Sequence, residues 1–182
     1  MSPHQVSADN FREALSLIAA TVSVVTTDGV AGKRGITVSS MCSVSVDPPS
    51  VLVCINRDSG VCHTIRENMA ICVNVLKSDQ AYVSDAFSGR LVGSRKDPFL
   101  CASWKKGVTG APQMLNALVN LDCQVKNELQ HGTHFIFVGE IAGLHTNGPG
   151  MPLIYRARSY ELAGGSPSLP LEELEYSWER YT

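Results

Sequence analysis

The sequence predicts a mainly β protein, an antiparallel barrel with short helices at its periphery. Six or seven runs of apolar or alternating residues are typical of strands, and most follow one another through short turns. Three or four short helical segments lie among them. The predicted elements do not alternate regularly between strand and helix, so we do not expect a parallel doubly wound sheet.

Length and composition are those of one ordinary globular domain. The chain has 182 residues, of which 44% are hydrophobic and 18% charged. A net charge of −2 gives no basic footprint for nucleic acid or an anionic membrane. No apolar run approaches the ~18 residues of a membrane span, and no signal peptide is visible, so we expect a cytoplasmic protein. We predict a domain over residues 1–165 and a helical tail over 166–182.

The cysteines and histidines do not predict a metal site. The six cysteines are scattered, without a CxxC pair, as expected for free thiols in a reducing compartment. His131 and His134 are the one close histidine pair, and on a single strand they would point to opposite faces. A hydrolase built on Cys62 and His63 is not expected, because adjacent helical residues do not face each other.

The first predicted element is an amphipathic helix over residues 9–20. Phe11, Ala14, Leu15 and Ile18 form one apolar stripe, and Asp9 is the expected N-cap. The strand "TVSVVTT" follows, and then the glycine-rich turn "DGVAGKRG". Because this turn joins two strands, it is not a dinucleotide-binding turn, which must open a helix.

The remaining elements follow from periodicity. We predict a helix that starts at Asp58 or Ser59, and an alternating strand, "LDCQVKNEL", whose exposed face includes Asp122. Residues 88–112 show no clear period and carry basic side chains that would bind cofactor phosphates or simply face solvent: Arg90, Arg95, Lys96, Lys105 and Lys106. Other predicted strands and helices cover 51–56, 69–76, 78–87, 133–143 and the segment "MPLIYRARSY".

The segment "GITVSSMCSVSVDPPSVLVCIN" carries an unusual number of hydroxyl groups. Read as one strand, its even positions from Ile36 to Val46 would face the core, and its odd positions would present Thr37, Ser39, Ser43 and Ser45 in a row. Thr37 to Ser43 would span ~20 Å, about the length of a tricyclic ring and its tail. The alternative is a solvated edge strand, and a bulge would reset the register.

A polar cluster follows the next strand. Asn56 closes the apolar run "VLVCIN", and Arg57, Ser59 and Thr64 surround a helix start. Free amides, a hydroxyl and a guanidinium favour a phosphate. The alternative is that Ser59 is a plain N-cap.

These motifs resemble those of the flavin reductase-like domain family, whose fold is a split β-barrel. The resemblance is strongest to the branch that includes the reductase component of 4-hydroxyphenylacetate 3-monooxygenase. The matching motifs occur in family order from about Phe11 to Tyr160: "TVSVVTT", "GITVSSMCSVSVDPPSVLVCIN", "SGVCHTIRENMAICVNVL", "GAPQMLNALVNLDCQV", "GTHFIFVGEI" and "PLIY".

The resemblance implies an NAD(P)H-dependent flavin reductase that passes hydride to FMN or FAD and supplies reduced flavin to a partner monooxygenase. It also implies a homodimer. His134 would be the catalytic residue near the nicotinamide, and the implied flavin-binding residues are Thr37, Val38, Ser39, Ser40, Ser43, Asn56, Arg57, Ser59, Thr64 and Tyr155.

Two departures from the family pattern concern the nicotinamide side. Thr133 stands where the family often has an acidic residue, and the run "RARS" follows Tyr155 in place of His-Arg-Gly-Arg. A non-catalytic flavin carrier or sensor of the same fold therefore stays open. A related oxidase of a pyridoxamine-like phosphate would need a denser phosphate clamp than the sequence offers.

Overall fold

The computed structural model describes residues 6–89 and 97–163. The helices in these ranges are α1 (Ala8–Ser16), α2 (Gly60–Asn68), α3 (Ala81–Phe87) and a 3₁₀ turn (Pro98–Cys101). The strands are β1 (Ala20–Thr21), β2 (Ser23–Thr27), β3 (Arg34–Val38), β4 (Met41–Val46), β5 (Pro49–Asn56), β6 (Ala70–Val75), β7 (Trp104–Lys106), β8 (Pro112–Met114), β9 (Val119–His131), β10 (His134–Thr146), β11 (Leu153–Arg156) and β12 (Ser159–Leu162).

The main sheet curls into a barrel. Its seven antiparallel strands have the order β3-β2-β6-β9-β10-β5-β4. β3 and β4 lie at opposite edges of this order, yet only residues 39 and 40 separate them in sequence. Because the three steps from Val38 to Met41 span no more than ~11 Å, the two edges must lie close together. The predicted mainly β barrel with peripheral helices is confirmed.

Two apolar clusters fill the structure. The first lies inside the main sheet, where Phe137, Ile55 and Ile71 pack against Ile65 of α2. The second lies under α3 and joins Leu153 of the small sheet β1-β11-β12 to the aromatic group Phe87, Phe99 and Trp104. Together these clusters hold α2, α3 and the small sheet against the barrel.

The hydroxyl-rich segment is not one strand, so that prediction is wrong. The chain leaves β3 at Val38 and enters β4 at Met41, since β3 pairs with β2 whereas β4 pairs with β5. The face assignment fails beyond the break: Met41 packs against the core, while Val44 and Val46 are 49% and 92% exposed. A second irregularity between Ser43 and Ser45 resets the register again.

The apolar stripe of the first helix is not buried in the core. α1 ends at Ser16, and Ser7 is its N-cap in place of the expected Asp9, with its hydroxyl accepting the N–H of Asn10. Phe11 and Ile18 are 55% and 62% exposed. Periodicity identified the helix, but the stripe meets no buried surface within the described residues.

The histidine pair and the strand after it also differ from expectation. His131 and His134 close a two-residue turn between β9 and β10 and pair directly, so they are cross-strand neighbours on one face. On β9, Asp122 was expected on the exposed side but is buried, because its carboxylate accepts hydrogen bonds from the hydroxyl and the N–H of Thr109.

The region predicted as a long loop contains regular structure. The 3₁₀ turn and the β7–β8 hairpin lie within it, and Lys105 and Lys106 are exposed on β7. Arg90, Arg95 and Lys96 lie outside the described residues, as does the predicted tail over 166–182. In the described ranges, no helix has the length and apolar character needed to cross a membrane.

Candidate flavin site

A narrow cavity opens where β3 ends, beside α3 and the β11–β12 hairpin. Its volume is about 180 Å³, and its lining combines a valine floor with hydroxyl groups: Val22, Thr37, Val38, Ser39, Ser84, Ser88, Tyr155 and Tyr160. Thr37 donates its hydroxyl to the Ser84 carbonyl oxygen at 2.7 Å. Tyr160 donates to Asp85 Oδ1 at 2.7 Å and lies 2.9 Å from Ser84 Oγ. These bonds fix α3 against β3 and β12 and so hold the walls of the cavity.

A wider cavity adjoins it and shares Ser39 and Tyr155. Its volume is about 630 Å³, within the range of ~300–1,000 Å³ common for small-molecule sites. The lining comes from α1 and the residues that follow it, the residues after β3, and the β11–β12 hairpin: Arg12, Leu15, Ser16, Ile18, Ala20, Ser39, Ser40, Tyr155 and Arg158. Leu15 and Ile18 of the exposed α1 stripe thus contribute to a cavity wall.

Ser39 and Ser40 have different surroundings. Ser39 is exposed at the junction of the two cavities. Ser40 donates its hydroxyl to the Cys54 carbonyl oxygen at 2.7 Å, and its own carbonyl accepts the Cys54 N–H. This exchange fastens the β3–β4 connection to β5, two residues before Asn56.

The end of β5 leads into a capped helix start. Asn56 accepts the Asp58 N–H at its side-chain oxygen, and its carbonyl accepts both the N–H and the hydroxyl of Ser59. Ser59 in turn caps α2 by accepting the Cys62 N–H. The predicted helix and the Ser59 alternative for its cap are confirmed. The cap does not exclude an anion, because the first amides of α2 still point out of the helix.

Two arginines lie near this helix start. A Cβ placed on Gly60 would be 3.7 Å from the guanidinium of Arg34, so that side chain reaches the first turn of α2. Arg57 donates to the Gly132 carbonyl oxygen of the β9–β10 turn and lies 3.6 Å from the Asp58 carboxylate. Arg34 and Arg57 therefore bring positive charge to the start of α2.

His134 lies beside this group. It pairs in register with Asn56 of β5 and with His131 of β9, and it is exposed. Its Nδ1 is 2.9 Å from the Thr133 hydroxyl. If that hydroxyl donates to Nδ1, the ring proton lies on Nε2, which then faces outward as a donor.

The sequence-predicted residues thus fall into two groups and two exceptions. Thr37, Val38, Ser39, Ser40 and Tyr155 line the cavities, and His134, Asn56, Arg57 and Ser59 meet at the β5–α2 corner. The exceptions follow. Ser43 is exposed on β4 outside both cavity linings, and Thr64 is buried with its hydroxyl donating to the Gly60 carbonyl oxygen inside α2.

Sequence reasoning missed residues that the fold brings in from distant segments. Ser84 and Tyr160 line the narrow cavity, Arg12 lines the wide one, and Arg34 reaches the start of α2. The polar residues of the predicted 78–87 helix were the sequence signal for Ser84, but nothing in the sequence showed that this helix would contact Thr37.

The thiols near the site are poor nucleophiles. Burial raises the pKa of Cys54, whose backbone is hydrogen-bonded to Ser40. Burial also raises the pKa of Cys62 in α2. A thiol needs its thiolate form to attack, so these groups pack as small apolar side chains.

The chain is similar to known proteins over most of its length. The flavin reductase like domain matches residues 15–164. The FMN reductase (NADH) RutF of Escherichia coli O157:H7 is 39% identical over 155 residues, which cover 85% of this chain and 93% of that protein.

Two solved structures share the fold. Flavin reductase PheA2 in its native state has a TM-score of 0.80 at 29% identity, covering 88% of this chain and 100% of that chain. The styrene monooxygenase flavin reductase of Pseudomonas putida S12 has a TM-score of 0.75 at 26% identity, covering 89% and 99%. The family match covers most of the chain and every cavity-lining residue except Arg12, and it confirms the resemblance read from the motifs: this chain belongs to the flavin reductase-like family.

Proposed function

We propose that the protein is a flavin reductase that uses NADH to reduce FMN. The observation that carries this proposal is the junction at Ser39 and Tyr155, where a narrow cavity and a wide cavity meet. Two adjoining cavities with one shared wall suit a reaction between two large ligands. The Escherichia coli relative, named as an NADH-dependent FMN reductase, supports the choice of both ligands.

The residues present fit a flavin. Val22, Val38 and the Tyr155 ring offer apolar contacts to a planar ring system, and the hydroxyls of the narrow cavity suit its polar edge. The start of α2, with Ser59, Arg57 and Arg34, suits a phosphate. When bound, the flavin supplies the hydride chemistry, and the protein's part is to bind and orient.

His134 is the residue that we expect to position the nicotinamide. Its exposed ring lies beside the β5–α2 corner, and it offers a donor there when Nδ1 accepts the Thr133 hydroxyl. His134 lines neither cavity within one chain. A ligand held in the cavities would need to extend toward the corner to reach it.

The test is a turnover assay with NADH and FMN, followed at the absorbance band of the reduced nicotinamide, with NADPH and FAD as the alternative pair. We expect His134→Asn to lower kcat/KM for NADH at least about tenfold, as loss of orientation does. The matched control is His145→Asn, an exposed histidine at the far end of the same strand. Absence of turnover with either flavin would contradict the proposal.

Reduced flavin would leave this site and reach a partner monooxygenase. The exposure of Ser39 and the half-exposed Tyr155 support a ligand that is not enclosed. The name of the Pseudomonas putida relative, a flavin reductase of styrene monooxygenase, supports this class of partner. After mixing with FMN and gel filtration, we expect flavin in the small-molecule fractions. Flavin that elutes with the protein, without NADH oxidation, would favour the carrier alternative.

We also propose that a second copy of the chain covers the outer face of β9, β10, β5 and β4. Leu129, Ile136 and Cys54 are cross-strand neighbours on this face, and Val138 and Leu52 follow one step along it. Leu129 is 62% exposed, and the other four are half-buried without any described element over them. An apolar sheet face of this kind indicates an interface.

Light scattering coupled to gel filtration tests the dimer. We expect the mass of two chains for the wild type and of one chain for Ile136→Lys, because a charge in an apolar interface is costly. Val30→Lys is the control, since Val30 is 92% exposed in the β2–β3 turn. A monomeric wild type would refute this proposal and leave the reductase assay untouched.

A further inference from the structure

The β11–β12 turn adopts a conformation that its residues disfavour. Ala157 and Arg158 both have positive φ, 49° and 63°, where a two-residue hairpin turn normally places glycine or asparagine. Backbone strain of this kind is often found where a side chain has a function.

A hydrogen bond fixes this turn against α1. The Ala157 N–H donates to the Ser16 carbonyl oxygen at 2.6 Å, at the last residue of the helix. Arg158 of this turn and Arg12 of α1 both line the wide cavity, and its apolar lining includes Leu15 and Ile18. Two arginines thus contribute to one cavity.

The charge of Arg158 is uncompensated in the part of the chain that the structure describes. Arg156, in the same hairpin, is bound to Glu161 at 2.9 Å, and Arg12 is bound to Asp9 at 2.9 Å on an exposed helix surface. No ion pair of Arg158 occurs within residues 6–89 and 97–163. A free guanidinium facing a cavity is suited to a phosphate, which it binds through two parallel hydrogen bonds.

We propose that the wide cavity binds the adenosine diphosphate moiety of a dinucleotide, with Arg158 and Arg12 on its phosphates and Leu15 and Ile18 against its adenine. The inference rests on the proposed function, because the cavity meets the flavin site at Ser39 and Tyr155. NADH and FAD both carry this moiety, whereas FMN and reduced nicotinamide mononucleotide do not.

The main test variant is Arg158→Gly, which removes the guanidinium and suits the positive φ, so the fold is retained. Arg158→Lys keeps a charge, and Arg156→Ala is the matched control outside the cavity. We expect Arg158→Gly to raise KM about tenfold for NADH or for FAD, depending on which dinucleotide the cavity takes. KM for FMN and for reduced nicotinamide mononucleotide should not change, nor should any KM in Arg156→Ala.

Equal changes in all four KM values, or no change in any, would overturn the proposal. Calorimetric titration with ADP separates it from the reductase proposal, because it needs no turnover. We expect the wild type and Arg156→Ala to bind ADP and Arg158→Gly to bind it about tenfold more weakly. A wild type that reduces flavin but does not bind ADP would refute this inference alone.

Discussion

The adjacent serines 39 and 40 should respond oppositely to the same substitution. Ser40 is half-buried and donates its hydroxyl to the Cys54 carbonyl oxygen at 2.7 Å, whereas Ser39 is exposed between the two cavities. Loss of one such hydrogen bond costs about 1 kcal/mol, and for a chain of this size each kcal/mol lowers Tm by about 2–4 °C. We therefore expect Ser40→Ala to lower Tm by that amount with little effect on FMN binding.

Ser39→Ala should leave Tm nearly unchanged, because the exposed hydroxyl stabilises no described contact. If the hydroxyl binds flavin, its loss costs about 0.5–1.5 kcal/mol of binding free energy, which is roughly a two- to tenfold rise in Kd. Quenching of FMN fluorescence gives Kd, and a circular dichroism melt gives Tm. A larger Kd change in Ser40→Ala than in Ser39→Ala would refute the assignment.

Three further predictions concern stability. Tyr160→Phe removes the hydroxyl that donates to Asp85, so Tm should fall by about 2–4 °C; an unchanged melt would show that this bond does not stabilise the cavity wall. Asn74→Leu deprives a buried backbone N–H of β8 of its acceptor and should lower the free energy of unfolding in urea by at least about 2 kcal/mol. Asn127 is exposed, so Asn127→Leu should lower it by less than about 0.5 kcal/mol. Equal losses in the two variants would contradict the burial argument. Burial raises the pKa of Cys123 from 9.0 to about 12, so the contribution of its neutral thiol to stability is complete below pH 9 and is lost as the pH rises towards about 12. Between pH 9 and about 12, the free energy of unfolding should therefore fall less steeply in Cys123→Ala than in the wild type. Parallel plots of unfolding free energy against pH for the two proteins would contradict this prediction.

Local pattern predicted the elements whose own residues decide their structure. The continuous apolar run 51–56 forms the last six residues of β5, and the segment 69–76 contains β6, which is buried along its whole length. Ser59 began α2 because a serine can accept the N–H three residues on. In each case the information lay within one segment, and the prediction was correct.

Pattern failed where distant strands compete for the same segment. Ser39 and Ser40 are two polar residues in succession and interrupt the apolar–polar alternation, but the strands that decide the break lie elsewhere in the chain. The break arises because the first half of the segment pairs with β2, as β3, and the second half pairs with β5, as β4. The His131–His134 turn is a different failure, since Gly132 with positive φ between two alternating runs was a readable hairpin signal.

The break between β3 and β4 also explains why hydroxyl residues stand there. In a continuous strand the peptide groups of Ser39 would be used in a ladder. Between two strands, Ser39 belongs to neither described ladder, since the β2 pairing ends at Val38 and the β5 pairing begins at Met41. A small polar residue at that point leaves both backbone and side chain accessible to a ligand. The feature that the one-strand interpretation missed is therefore the one at which we propose that flavin binds, and it predicts that β-branched residues at position 39 impair flavin binding more than alanine does.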